Sequence, residues 1–234
     1  MAFEFSKRVL PNQPMLTRVW RGPFRGARIV MNPRNSLRKI FGLYEHELND
    51  WLEQALRRVD RVIDVGANDG YFTFGCAAAF QRLGKTGKII ACEPQDRHVA
   101  MLRKSVASQP QAGIRFEVVH ALVGKELKPG MITLDSLKPN FDVRNAKVSS
   151  LVKIDVEGAE VDVIEGGRSW LQPSNLFVIE VHRHELADLL RDIFTEKGLK
   201  LIRLNQQQLK IVGGEERERE NFWLVSDLER PRRL

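Results

Sequence analysis

The stretch VIDVGANDGYFTF, residues 62–74, decides the fold. A short apolar strand with one acid runs into a tight turn that contains two glycines, and an apolar helical segment follows directly. Gly66 and Gly70 can adopt positive φ angles, or let a ligand approach the backbone where a Cβ would block it. This strand–turn–helix order predicts a nucleotide-type pocket at the carboxyl edge of a parallel sheet.

Apolar runs alternate with helical stretches after this motif, which is the order of a parallel sheet with crossover helices. Seven runs have the Val, Ile and Leu content of strands buried on both faces: 61–65, 88–93, 115–121, 150–156, 176–182, 199–204 and 221–226. Helices are predicted over 71–83, 97–108 and 183–197, and an amphipathic one lies within 44–58. The pattern predicts an α/β, doubly wound, Rossmann-like fold.

Of the 234 residues, 43% are hydrophobic and 29% are charged, which excludes a mainly disordered chain and predicts one well-packed domain. Cys76 and Cys92 stand in apolar segments, so we expect buried thiols in a reducing compartment rather than a disulfide framework. The longest apolar stretch, 72–80, is about half as long as a bilayer-spanning helix must be. We therefore predict a soluble, cytoplasmic protein without a transmembrane segment.

The positive charge is concentrated near the N-terminus. The net charge is +7, and residues 1–44 contain nine Lys or Arg and one acid. We therefore divide the chain into a basic N-terminal extension, 1–44, and a nearly neutral domain, 45–234. Three interpretations of the extension stay open: recognition of an anionic substrate, contact with RNA through charge and stacking, and a solvated segment.

The glycine turn differs from a phosphate-binding loop. Asn68 stands where the second glycine of G-x-G-x-x-G would be, and the carboxylates of Asp64 and Asp69 disfavour a pyrophosphate. A ligand with a cationic, amino-bearing end fits better, because Asp64 could hydrogen-bond an ammonium group or hold the loop. Glu93 ends the second strand at about the interval after Gly70 where doubly wound folds place a carboxylate for ribose hydroxyls.

Three later segments, with this loop, carry a resemblance to a known family. ITLDSL (132–137), LVKIDVEGAEVDVIEGG (151–167) and FVIEVH (177–182) resemble the FkbM family of class I S-adenosylmethionine-dependent methyltransferases. The resemblance implies a seven-stranded sheet whose last strand is antiparallel, S-adenosyl-L-methionine as the methyl donor, and usually a hydroxyl oxygen as the acceptor.

The resemblance also implies where the donor binds. The glycine loop would line its methionine portion, the carboxylate after the second strand would hold the ribose, and an apolar slot after the third strand would hold the adenine. The residues implied to bind the cofactor are Asp64, Gly66, Asn68, Gly70, Glu93, Ala121, Leu122 and Asp155.

Three carboxylates follow the fourth strand, those of Asp155, Glu157 and Glu160. They could accept hydrogen bonds from the donor's ammonium group, steer its sulfonium, or bind a divalent cation with Asp135 or His182. For Glu160, capping of the following helix is the simplest interpretation. No metal is assigned.

His182 is the candidate general base. It lies on the same face of its strand as Glu180 and near the carboxyl end, where it can take the proton of an acceptor hydroxyl. Asp155 is the second catalytic candidate, and His184 is a further rival base.

We predict an S-adenosylmethionine-dependent O-methyltransferase that acts on a hydroxyl of a small molecule, such as a sugar or glycolipid intermediate. An oxygen acceptor is favoured because the sequence lacks a Pro-Cys nucleophile and an Asn/Asp-Pro-Pro-aromatic string. A nucleic-acid or protein methyltransferase would be favoured if the basic extension and the pocket mouth formed one positive groove. A binding module that keeps the fold without turnover is the third hypothesis.

Overall fold

The computed structural model describes residues 10–110, 113–138, 149–206 and 221–229, and its centre is a seven-stranded sheet. The strands in chain order are β1 (Met15–Arg18), β2 (Arg28–Met31), β3 (Arg61–Val65), β4 (Gly87–Cys92), β5 (Ile114–Val119), β6 (Leu122–Gly124), β7 (Met131–Thr133), β8 (Ser150–Ile154), β9 (Leu176–Val181), β10 (Leu201–Arg203) and β11 (Phe222–Ser226).

The large sheet has the spatial order β10-β11-β9-β8-β3-β4-β5. The pairs from β9 to β5 are parallel, whereas β11 is antiparallel to both β9 and β10. All seven strands fall within or beside the ranges predicted from the apolar runs. The doubly wound, Rossmann-like fold with an antiparallel last strand is therefore confirmed.

Helices cover both faces of this sheet. They are α1 (Leu37–Ile40), α2 (Asn49–Arg58), α3 (Tyr71–Arg82), α4 (Asp96–Ala107), α5 (Glu160–Glu165) and α6 (Glu185–Glu196). Successive residues of β3 point to opposite faces, so Val62 joins the apolar cluster that contains α2 and α3, whereas Ile63 joins the cluster that contains α5 and α6. The two clusters are the two layers of a doubly wound fold.

The direction of winding reverses between β3 and β8, which places a crevice at their carboxyl ends. The two chain segments approach closely there: the Asp155 N–H donates to the Val65 carbonyl at 3.0 Å. Gly66 has φ of +79°, and a Cβ at this position would lie 2.0 Å from the Asp155 carbonyl oxygen. The fold itself therefore requires a glycine at this position.

The described part of the N-terminal extension packs on this domain. Its strands β1 and β2 form an antiparallel pair, and Val19, Ile29 and Met31 are fully buried in the cluster that contains α3. The Phe24 ring lies against Gly75 of α3, where a Cβ would come within 2.3 Å of the ring. We propose that residues 1–44 form an N-terminal extension, of which the described residues 10–44 complete the layer over α3.

Two short strands, β6 and β7, were not predicted, because three residues carry too little periodicity to be recognised. They form a small parallel sheet. The short helix expected after the fourth strand is α5. Cys76 and Cys92 are free and buried, as expected. Within the described ranges, none of the helices is both long and apolar enough to cross a bilayer.

Candidate active site

A cavity of about 1120 Å³ opens at the carboxyl ends of β3, β4, β8 and β9. Most of the side chains and backbone segments predicted as site residues line this one space. The predicted residues in its wall are Gly66, Asn68, Glu93, Ala121, Leu122, Asp155 and His182. Asp64, Gly70 and His184 are not among the wall residues. The structure thus brings together both groups of candidates, those for the donor and those for catalysis.

The glycine loop is fixed by backbone hydrogen bonds. The N–H groups of Gly66 and Ala67 both donate to the Cys92 carbonyl at 3.0 Å, and the Gly70 N–H donates to the Ala67 carbonyl at 2.8 Å. Asn68 has a left-handed backbone with φ of 51°. The loop therefore presents a rigid main-chain surface to the cavity.

Gly70 is not among the residues that line the cavity. Its φ is +88°, as the positive-φ prediction requires, and a Cβ there would lie 2.5 Å from the Phe74 ring and 2.7 Å from Leu102. The residue is small because α3 and α4 pack beneath the loop.

Glu93 lies in the cavity wall and is only 4% exposed. Its Oε2 accepts the Asn68 N–H at 2.8 Å, and its Oε1 accepts the Gln95 N–H at 2.9 Å. Each carboxylate oxygen has a second lone pair. Glu93 can therefore hold the loop and still accept hydrogen bonds from two ligand hydroxyls.

Asp64 does not line the cavity. Its side chain is completely buried on the α3 side of the sheet, where the Thr73 hydroxyl donates to Oδ2 at 2.5 Å. Its Oδ1 lies 3.5 Å from the ammonium of Lys153, its register partner on β8. Asp64 is thus a buried ion-pair partner beneath the loop.

Lys153 is the main site residue that the sequence predictions missed. Its Nζ lies 2.9 Å from Asp155 Oδ2 and 3.4 Å from the Gly66 carbonyl, and its side chain is 5% exposed. Burial acts to lower the pKa of Lys153, but the carboxylates of Asp155 and Asp64 outweigh it and raise the pKa. The available signal was a charged residue in a strand that is otherwise apolar and buried on both faces.

The second loop carboxylate, that of Asp69, also has a lysine partner. Lys39 Nζ, from the N-terminal extension, lies 2.7 Å from Asp69 Oδ2 and 4.9 Å from the centre of the Tyr44 ring. Tyr44 itself lines the cavity. The extension therefore braces the glycine loop and contributes to the site.

The far end of the cavity contains a carboxylate–histidine pair. His182 Nδ1 lies 2.6 Å from Glu160 Oε1, which also accepts the Gly158 N–H at 3.1 Å. Because this oxygen is an acceptor, Nδ1 carries the proton and Nε2 has a free lone pair in the neutral ring. Nε2 lies 3.7 Å from Asp155 Oδ1. Glu160 is the first residue of α5, but the N-cap is Ala159 and no side-chain hydrogen bond caps the helix. The Glu160 carboxylate instead orients His182.

Electrostatics favours the protonated imidazole and the ionised Asp155. Burial acts to lower the pKa of His182, but the hydrogen bond to Glu160 and the charges of Glu180 and Asp155 raise it overall. For Asp155, burial acts to raise the pKa, but Lys153 outweighs it and the pKa is lowered. A proton that arrives at Nε2 is therefore stabilised by two carboxylates.

The other candidates are placed less favourably for catalysis. His184 stacks on Phe222, with 5.0 Å between the ring centres, and lies outside the cavity wall. Asp135 accepts the Ser169 hydroxyl and also lies outside the wall. Glu157 lies in the wall but is exposed.

Asp155, Glu180 and His182 have potential ligand atoms within 4.8 Å of one another, which is the spacing of a possible cation site. The charges are already paired, however: Lys153 contacts Asp155, and Glu160 contacts His182. Glu180 in addition accepts the Asn221 side-chain N–H at 3.3 Å.

The strand order, the antiparallel β11 and the cavity at the switch point are those of the doubly wound fold that the resemblance implies. The model of the methyltransferase FkbM domain matches residues 105–201, which contain all three segments that carry the resemblance. The resemblance to the FkbM family is thereby confirmed.

Two solved structures show the same fold. Methyltransferase FkbM from Methylobacillus flagellatus KT is 17% identical, with 73% of this chain covered and a TM-score of 0.53. The chain spans 44% of the length of that protein. The Escherichia coli protein yhhF, provisionally assigned as a methyltransferase, is 15% identical over 91% of this chain and 97% of its own, with a TM-score of 0.50. None of the curated protein sequences matches this chain.

Proposed function

We propose that this chain is an S-adenosylmethionine-dependent O-methyltransferase that modifies a hydroxyl of a small molecule, such as a sugar or glycolipid intermediate. One observation carries the proposal: a continuous cavity joins the glycine loop and Glu93 at one end to His182 and Asp155 at the other. A donor site and a proton acceptor in one space are what methyl transfer to an alcohol requires.

The residues at the first end fit the proposed donor. Gly66 offers bare main chain, Glu93 has spare lone pairs for ribose hydroxyls, and Ala121 and Leu122 provide an apolar wall for the adenine. The cavity volume of about 1120 Å³ exceeds that of most single-ligand pockets, about 300–1,000 Å³. A second molecule, the acceptor, can therefore share the space.

When bound, S-adenosyl-L-methionine supplies an electrophilic methyl group to a hydroxyl oxygen that loses its proton. His182 receives that proton at Nε2, while Glu160 holds Nδ1 and keeps the ring oriented. The imidazolium that forms lies between Glu160 and Asp155, which stabilise it as the carboxylate does in a catalytic triad. A positioned base of this kind contributes about 10²-fold or more to the rate.

The shape of the surface supports a small acceptor over a nucleic acid. The exposed arginines Arg18 and Arg25 line a separate groove, and the described residues of that groove do not occur in the wall of the active-site cavity. The positive groove across the pocket mouth that would favour a nucleic-acid substrate is not formed by these residues. Side chains such as Gln95 and Asn221 in the cavity wall can instead pair with sugar hydroxyls.

The direct test is to incubate the protein with methyl-labelled donor and fractionated metabolites, and to identify the fraction that acquires the label. We expect His182→Ala to lower kcat about 10²-fold or more with little change in donor affinity measured by calorimetry. His184→Ala is the matched control, because this histidine is outside the cavity. An equal loss in both variants, or tight donor binding without methylation of any fraction, would contradict the assignment.

A further inference from the structure

The N-terminal extension presents an exposed face that the methyl-transfer site does not use. Leu16, Arg18 and Trp20 occupy every second position and are exposed, while Val19 between them is completely buried. Leu16 is 40% exposed and Trp20 is 63% exposed. Apolar and cationic side chains thus share one surface, which we call the hairpin face.

The cations of the hairpin face repel one another, which destabilises the β1–β2 pair in the protein alone. Arg18 stands directly opposite Arg28 in the β1–β2 register, and like charges in this position repel. Within the described ranges, Arg18, Arg21 and Arg28 have no carboxylate within 4.0 Å, and Arg25 has only Glu53 at 3.9 Å. An anionic partner would remove this repulsion.

The face is remote from the glycine loop. Arg18, Trp20 and Arg25 line a groove of about 620 Å³ together with Arg82, the last residue of α3. The helix α3 starts directly after the glycine loop, and the groove is lined by its residues Ala78, Gln81 and Arg82. The groove therefore lies about 12–18 Å along the helix from that loop. The Arg82 guanidinium donates to the carbonyls of Pro23 and Arg25 and thereby supports the turn between the two strands.

We propose that the hairpin face binds the surface of an anionic lipid bilayer. Trp and aliphatic side chains enter the interface between headgroups and acyl chains, while arginines pair with lipid phosphates. Single-stranded nucleic acid would be recognised by several aromatic platforms, whereas this face has one exposed ring, that of Trp20, beside the aliphatic side chain of Leu16. The proposal depends on the hairpin alone and not on the reaction in the cavity.

The four tryptophans give a selective probe of this contact. Trp51, Trp170 and Trp223 are at most 6% exposed, so Trp20 is the indole that can reach a membrane. We expect vesicles of phosphatidylglycerol and phosphatidylcholine with brominated acyl chains to quench Trp20 fluorescence. Phosphatidylcholine vesicles alone should quench it much less, and added salt should reverse the binding. In Trp20→Phe the quenching should be lost.

Charge variants distinguish binding to anionic lipid from non-specific adsorption to vesicles. The double variant Arg18→Gln/Arg28→Gln should lower partitioning into the anionic vesicles about 30-fold, which corresponds to roughly fivefold per charge. The control Arg191→Gln/Lys197→Gln removes the same charge from α6 and the residue that follows it, on the opposite face of the sheet, and should bind as the unchanged protein does. Circular dichroism and donor affinity should be the same in all variants.

Three results would overturn the proposal. One is equal binding to anionic and neutral vesicles, and another is unchanged binding by Arg18→Gln/Arg28→Gln. The third is binding of a single-stranded oligouridine, weakened by the same double variant, with no binding to vesicles. That last result would assign the hairpin face to nucleic acid. Because donor affinity is measured in parallel, failure here is distinct from failure of the methyltransferase assignment.

Discussion

The two ends of the active-site cavity are built on different principles. At the glycine loop, polar groups are matched by the backbone: the Glu93 carboxylate accepts two N–H groups, and the loop N–H groups donate to the Cys92 carbonyl. At the other end, His182 pairs with Glu160 of α5, and Lys153 of β8 links Asp155 to Asp64 beneath the glycine loop. The first end is rigid by local geometry, whereas the second depends on a balance of charges that long-range contacts assemble.

The largest loss of stability should come from removing the ammonium group of Lys153, which lies between Asp64 and Asp155. Lys153→Met leaves the carboxylates of Asp64 and Asp155 without their ammonium partner in a buried place. Breaking a buried pair in this way typically costs about 3–5 kcal/mol. We expect a loss of this size in the free energy of unfolding, measured by urea denaturation.

Lys88→Met is the matched control for that experiment. Lys88 pairs with Glu117 at 2.6 Å, but both side chains are partly exposed. Such surface pairs contribute about 0–1 kcal/mol. If the two substitutions lowered stability by the same small amount, the ion pairs of Lys153 with Asp64 and Asp155 would not stabilise the site.

The glycine-loop end can be tested through Glu93→Ala. This change removes an acceptor for the donor and also two hydrogen bonds that hold the loop, so donor binding should weaken by about 1–3 kcal/mol. Calorimetric titration with S-adenosyl-L-methionine measures the change. Glu126→Ala, an exposed carboxylate in the same cavity wall, should leave the affinity unaltered. Equal affinities for all three proteins would show that the ribose binds elsewhere.

A smaller effect, on the pH dependence of kcat, should show whether Glu160 acts on His182 through its charge or only by orienting the ring. The base must be neutral, and the pKa of His182 is raised, chiefly through Glu160, against the effect of burial. The rate should therefore fall as the pH drops through this raised pKa. Glu160→Gln keeps an acceptor for Nδ1 but removes the charge, so the pKa should fall and the acid limb of the kcat profile should move to lower pH.

Glu157→Gln, also next to the cavity, serves as the comparison for that profile. Glu157 is exposed, and the fall in kcat should occur at the pH of the unchanged protein. An acid limb that stays in place in Glu160→Gln would mean that His182 is not the group whose protonation stops the reaction.

The fold was predictable from the sequence because its signals are local. Continuous Val, Ile and Leu runs mark all seven strands of the main sheet, and the turn at Gly66 carries the positive φ that a glycine there indicates. Gly70 shows where this reasoning ends. Its positive φ was predictable. The absence of a side chain there is also required by the close packing of Leu102, which belongs to a different helix.

The ion pairs of Lys153 and His182 were not predictable either, because each joins segments that are distant in the sequence. Lys153 meets Asp64 only because β8 and β3 pair in one particular register. Glu160 meets His182 from another element, 22 positions away in the chain. Sequence can mark each of these residues as unusual in its own segment, but the partner is set by tertiary packing.

The smallest expected effect is that of metal removal. Asp155, Glu180 and His182 have the spacing of a cation site, but Lys153 already lies 2.9 Å from Asp155, and His182 is paired with Glu160. A divalent ion would have to compete with this ammonium for the same carboxylate, which is unfavourable electrostatically. Dialysis against EDTA should therefore leave both kcat and donor affinity unchanged, and added Mg²⁺ or Mn²⁺ should have no effect. A rate that disappears with EDTA and returns with Mg²⁺ would instead make the three residues ligands, and it would replace proton transfer to His182 with metal activation of the hydroxyl.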